Sequence, residues 1–116
     1  MSVTIYHNSR CSKSRQTLGL LTERGIEPDI VAYLDTPPSV ETLTALLDML
    51  GYDSPRQMMR VKEDTYKALN LGDASVTDAQ LIQAMADNPK LIERPIVVAN
   101  GKAAMGRPPE SVLDIL

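Results

Sequence analysis

The chain has 116 residues, a formal net charge of -3 from 12 Lys and Arg against 15 Asp and Glu, one cysteine, and neither Trp nor Phe. One cysteine excludes an intramolecular disulfide, the mild negative charge and the lack of Trp and Phe argue against nucleic acid, and no run approaches the ~20 apolar residues of a membrane span. Residues 1–116 are expected to form one domain with a single core, and without a signal-peptide pattern the expected setting is the cytoplasm.

Residues 3–6 predict a strand with Val3 and Ile5 on one face. A helix follows over 12–24, with Leu18, Leu20 and Leu21 inward and Gly25 as its stop. Residues 29–33 predict a second strand, so the opening is a βαβ unit with parallel strands. Ser39 or Thr36 caps a helix whose stripe is Val40, Leu43, Leu46, Leu47 and Leu50, ended by Gly51. Shorter helices are expected over 54–60 and 62–70. The stretch Thr77-Asp78-Ala79-Gln80 fits a capping box for a helix to about Asp87, with Leu81, Ile82 and Met85 inward. The whole middle region, about 36–90, therefore reads as helical. Strands return over 96–99 and 102–105 around an Asn100-Gly101 hairpin turn, and Pro108-Pro109 leads into a last helix carrying Val112, Leu113 and Leu116. The expected class is α/β: a four-stranded mixed sheet in the order βαβ…ββα with an all-helical insertion.

Cys11 falls where the first strand turns into the first helix. Unpaired backbone N–H groups and the positive end of the helix dipole favour thiolate there. His7, Arg10, Lys13 and Arg15 crowd the same few residues and act in the same direction. A lone cysteine is often just a small buried apolar residue. The polar, cationic flanks instead favour a reactive thiol.

Four motifs in order carry a resemblance: Tyr6-His7-Asn8-x-x-Cys11, Tyr33-Leu34-Asp35-Thr36-Pro37-Pro38, Arg94-Pro95-Ile96-Val97-Val98 and Gly106-Arg107-Pro108. Over nearly its whole length the chain resembles the glutaredoxin-linked arsenate reductase family, of thioredoxin-like fold. It also resembles the subgroup with Arg-Cys-Ser-Lys-Ser and Asn-Gly-Lys.

The resemblance implies that Cys11 attacks the arsenic of arsenate while Arg60, Arg94 and Arg107 neutralise the oxyanion. Arginine suits that task because its planar fork pairs with oxyanion edges and keeps its charge. Glutathione, the implied co-substrate, displaces oxygen at arsenic and arsenite leaves. Glutaredoxin then clears the Cys11–glutathione disulfide. The resemblance places His7 beside the cysteine as a group that lowers its pKa, gives Asn8 and Ser14 contacts to the sulfur or the anion, and makes Arg94–Pro95 a cis peptide facing Cys11. No bound cofactor and no metal are implied. Ser9 departs from the proline that many members carry.

Read without the resemblance, His7, Asn8 and Ser14 are equally loop and capping residues, and Arg60 is a solvated cation at a helix end. Arg94 and Arg107 each precede proline, which places them in extended loop backbone. Cys11-Ser12-Lys13-Ser14 is C-x-x-S, so a resolving thiol must come from outside the chain. Two other readings stand beside arsenate reduction. One is a monothiol oxidoreductase acting on glutathione mixed disulfides or another oxyanion. The other is a redox-responsive transcription regulator, which the absence of C-x-x-C disfavours. No interface signal stands out, and a monomer is expected.

Overall fold

The computed structural model describes residues 2–116. The strands are β1 (Val3–His7), β2 (Asp29–Ala32), β3 (Ile96–Ala99) and β4 (Lys102–Met105). The α-helices are α1 (Ser12–Glu23), α2 (Val40–Leu50), α3 (Asp64–Ala68) and α4 (Asp78–Asp87), with 3-10 turns at Pro55–Met58, Pro89–Leu91 and Pro109–Ile115. They fall into two compact units. One runs to Thr36 and resumes at Arg94–Leu116, and the other is Pro37–Glu93.

The first unit is the expected mixed sheet, in the order β2-β1-β3-β4. β1 pairs parallel with β2, Ile5 opposite Ile30, and antiparallel with β3, Ile5 opposite Val97. Alternation turns Val3 and Ile5 to one face, where they join Val97, Ala99, Leu21 of α1 and Val112 of the C-terminal turn in one buried cluster. Each valine, leucine or isoleucine among them contributes about 1.5–3 kcal/mol on burial.

α1 buries Ser14, Thr17 and Leu21. Its inner face is thus more polar than its leucines imply, and Leu20 is only partly covered. The helix closes as expected: Ile26 N–H donates to Leu21 O at 3.0 Å and Gly25 N–H to Thr22 O at 2.9 Å. β2 stops one residue earlier than expected, because the N–H groups of Asp35 and Thr36 both turn back to Ala32 O at 2.9 Å. The β3–β4 hairpin turns on Asn100 and Gly101, with φ of 56° and 74°. Positive φ at both central residues matches the right-handed twist of the strands, and Asn-Gly tolerates it best. The last helix is 3-10 rather than α, with Ser111 N–H bonded to Pro108 O and Leu116 N–H to Leu113 O.

In the second unit Ser39, not Thr36, caps α2, its Oγ accepting from Thr42 N–H at 3.1 Å. The capping box at α4 is present, Thr77 and Gln80 bonding reciprocally. Leu81, Ile82, Ala84 and Met85 form the buried face of α4. The helices expected over 54–60 and 62–70 shrink to the turn at Pro55–Met58 and to α3. Between them Met59 is extended (φ -114°, ψ 149°) and bridges Ile92 antiparallel. Arg60 N–H donates to Leu91 O at 2.7 Å and Glu93 N–H to Met58 O at 2.8 Å. The insertion is therefore not purely helical. Strand-like pairing across more than thirty residues satisfies this backbone, and local periodicity cannot reveal it.

Candidate active site

Cys11 occupies the N-cap of α1 in extended conformation, and its side chain makes no capping bond. Its thiol is left facing the first turn of the helix, which the end of β1 and a short loop deliver. The loop is pinned from inside. Ser14, fully buried, places its Oγ 2.6 Å from His7 Nδ1 and accepts the Asn8 N–H at 3.0 Å. Asn8 accepts twice: its Oδ1 from Arg10 N–H and its carbonyl from Cys11 N–H, both at 3.0 Å. Arg15 Nη1 holds the Ser9 carbonyl at 2.9 Å.

Cys11 is only 8 % exposed. Its flanks are polar, yet its side chain is covered, so both readings of a lone cysteine capture part of the truth. Burial pushes the thiol pKa up. The Ser14 N–H, the Arg94 charge, the Lys13 N–H and the Arg107 charge together outweigh it, and the pKa falls below its ordinary value. Each stabilises the thiolate, the first and third as backbone N–H dipoles at the helix terminus and the other two as fixed cations.

Two loops on the far side of β1 from β2 bring in the arginines. Arg107 Nη2 lies 3.8 Å from Cys11 Sγ, and its Nε donates to the Arg94 carbonyl at 2.9 Å. Arg94–Pro95 is cis as expected, and Arg107–Pro108, which no sequence signal distinguished, is cis as well. Gly106 N–H donates to Pro95 O at 2.9 Å. A Cβ on Gly106 would stand 2.5 Å from Thr17 Oγ1 and 2.6 Å from Pro95 Cγ, so glycine is required for this approach.

Burial and the Arg15 charge push the His7 pKa down, which favours a neutral ring near pH 7. A neutral imidazole brings no positive charge to the thiolate, and its Nδ1 lies 2.6 Å from Ser14 Oγ. Arg60 lies in the second unit, where its Nη1 pairs with Glu63 at 3.2 Å. Cys11, His7, Asn8, Ser14, Arg94, Pro95 and Arg107 are thus gathered in the sheet unit. Sequence reasoning missed the packing roles of Gly106 and Thr17, whereas the helix-terminal N–H groups were expected. The Gly106-Arg107-Pro108 motif was a signal for the first; a buried threonine on a helix gives none. Among the described residues, no three His, Cys, Asp or Glu side chains cluster closely enough to hold a metal ion, and no helix is long and apolar enough to cross a membrane.

Comparison with known proteins agrees with this geometry. The ArsC family matches residues 6–115. A protein of Escherichia coli K12, "Uncharacterized protein YfgD", is 64% identical over 114 residues, spanning 98% of this chain and 96% of the relative. An "Arsenate reductase" of Haemophilus influenzae is 52% identical over 116 residues, the full length of both chains. Among solved structures, "Arsenate reductase from Vibrio cholerae" superposes with a TM-score of 0.99 at 60% identity, covering 100% of this chain and 98% of the other.

Proposed function

Since the chain belongs to the ArsC family, we propose that it reduces arsenate to arsenite through Cys11, with glutathione as co-substrate and glutaredoxin as the protein that restores the thiol. The observation that carries this reading is the 3.8 Å approach of Arg107 Nη2 to Cys11 Sγ. It puts a permanent cation beside a nucleophile that must meet an anion. Relatives of closely similar length bear the name arsenate reductase.

The cycle begins with the Cys11 thiolate attacking arsenic, forming an S–As bond while one arsenate oxygen leaves as water. Two negative species must meet for that step. Arg94 and Arg107, with Arg60 as third guanidinium, compensate the charge that builds on the arsenic oxygens. Glutathione displaces a second oxygen, again as water, so that arsenic carries two sulfurs. Those sulfurs join as a disulfide, arsenic keeps the electron pair, and one water adds back to the departing arsenic(III), which leaves as arsenite. The two thiols have supplied two electrons. Cys11 is the chain's one cysteine, so the Cys11–glutathione disulfide needs an external thiol, here from glutaredoxin, to release the enzyme. In this reading the protein works as a monomer in the reducing cytoplasm, where such thiols are maintained.

The test is arsenate-dependent NADPH oxidation with glutathione, glutaredoxin and glutathione reductase supplied, comparing the protein with Cys11→Ser. Turnover that needs Cys11 supports the reading. Absent turnover from a folded protein whose Cys11 still alkylates fast at neutral pH overturns arsenate as the acceptor. Another oxyanion or a glutathione mixed disulfide would then be the acceptor to test.

A further inference from the structure

On the β2 side of β1 lies a cleft of about 350 Å3, formed by His7 at the end of β1, by Asn8, Ser9 and Arg10 of the loop to α1, by Ala32 of β2, and by Leu34 and Asp35 just beyond it. Its volume falls in the range of small-ligand sites, roughly 300–1,000 Å3. The sheet order β2-β1-β3-β4 separates it from the arginines: Arg94 leads into β3 and Arg107 follows β4. Cys11 ends the loop between them, so the site has two sides of different chemistry. The arginine side carries the guanidinium groups of Arg94 and Arg107. The cleft offers one carboxylate, one guanidinium, the His7 imidazole, the hydroxyl and amide of Ser9 and Asn8, and an apolar wall in which Leu34 is 42% exposed. Arsenate, an anion only, has no use for Asp35. A zwitterion with an apolar stem matches all of these groups.

We propose that this cleft binds the γ-glutamyl thiol tripeptide, its α-ammonium against Asp35, a carboxylate against Arg10 and its stem along Leu34, and so delivers the thiol from the side of the sheet opposite the oxyanion. The proposal rests on the glutathione-dependent reading above and adds a place for that co-substrate. The loop suits the role because it is already set. The bonds of Asn8 N–H to Ser14 Oγ, Arg10 N–H to Asn8 Oδ1 and Arg15 to the Ser9 carbonyl hold it at 2.9–3.0 Å. Little ordering is left to oppose binding. Separate sides also let the oxyanion and the thiol occupy the site together, as a step joining both at arsenic requires.

The experiment titrates isotope-labelled protein with S-methylglutathione, which binds but cannot react, and follows backbone amide shifts. The expected result is saturable shifts at Ser9, Arg10, Leu34 and Asp35. Asp35→Asn and Arg10→Gln should each raise Kd about fivefold, the effect of one partly exposed ion pair. The dimethyl ester of the ligand, which lacks carboxylates, should be indifferent to Arg10→Gln and still sensitive to Asp35→Asn. Shifts confined to other residues, or an unchanged Kd in both variants, overturn the proposal. Protection of Cys11 from alkylation by arsenate is measured separately. If arsenate fails to protect while S-methylglutathione still binds in the cleft, the arsenate reading falls and the thiol site stands. Protection without binding in the cleft is the reverse.

Discussion

The hydroxyl of Ser14 and the imidazole of His7 lie 2.6 Å apart, and the same hydroxyl accepts the Asn8 N–H at 3.0 Å. The serine of the C-x-x-S pattern is therefore the strut of the loop that presents Cys11. Ser14→Ala removes a buried partner from two polar groups at once. The expected cost is about 1–3 kcal/mol of stability, read as a lower urea midpoint at unchanged slope. An unchanged midpoint would show that water replaces the hydroxyl and that the strut is dispensable.

The Cys11 thiol should ionise below the ordinary cysteine range, since the helix-terminal N–H groups and two arginines outweigh its burial. Alkylation rate against pH reads this directly. Arg107→Ala should move the midpoint upward, as should Arg94→Ala. The sign for stability follows from linkage. With the folded pKa below the unfolded one, the unfolded chain binds more protons between the two. The thiolate's contribution is complete above the unfolded value of about 8.5 and is lost as pH falls through the folded one. The stability advantage of the wild type over Cys11→Ser should accordingly grow as pH rises through that window. A flat difference would contradict the depressed pKa.

Gly106→Ala places a methyl against Thr17 Oγ1 and Pro95 Cγ, at 2.5 and 2.6 Å in the unrelaxed geometry. One neighbour is a buried helix side chain and the other a proline ring, so neither yields freely. The expected loss is about 1–3 kcal/mol, with a slower Cys11 alkylation because Arg107 is the next residue in the chain. Unaltered stability and alkylation would show that the loop before Arg107 is softer than its packing implies.

In the proposed reaction, Arg60→Ala and Arg107→Ala should each lower kcat/KM for arsenate roughly 100- to 1,000-fold, the usual effect of losing one preorganised charge donor. Arg60→Lys should recover only part, because lysine keeps the charge and loses the fork. Glu63→Gln, which removes the 3.2 Å partner of Arg60, should change stability by less than about 1 kcal/mol. Steady-state assays of the variants decide the matter. Full activity in Arg60→Ala would remove Arg60 from the oxyanion site.

Several parts of this protein were legible in its residues because their causes are local. Val3 and Ile5 alternate, Asn100-Gly101 fits a turn of positive φ, Thr77 and Gln80 cap α4 reciprocally, and Gly25 ends α1; each depends on neighbours within a few positions. The position of Cys11 at a helix start was legible for the same reason. Met59 and Ile92 misled, since an antiparallel bridge over that separation leaves no periodicity in either segment.

By itself the sequence determined the order of the elements of the sheet unit, a single thiol at the first strand-to-helix turn and the absence of a second cysteine. Only the tertiary structure decided what surrounds that thiol. Arg107 reaches Cys11 across 96 positions of chain, Gly106 is fixed by Thr17 and Pro95, and Ser14 is buried as a partner for His7. Backbone hydrogen bonding and side-chain alternation act over one or two turns. Packing and Coulomb forces depend on distance in space, which the order of residues does not specify until the sheet has closed.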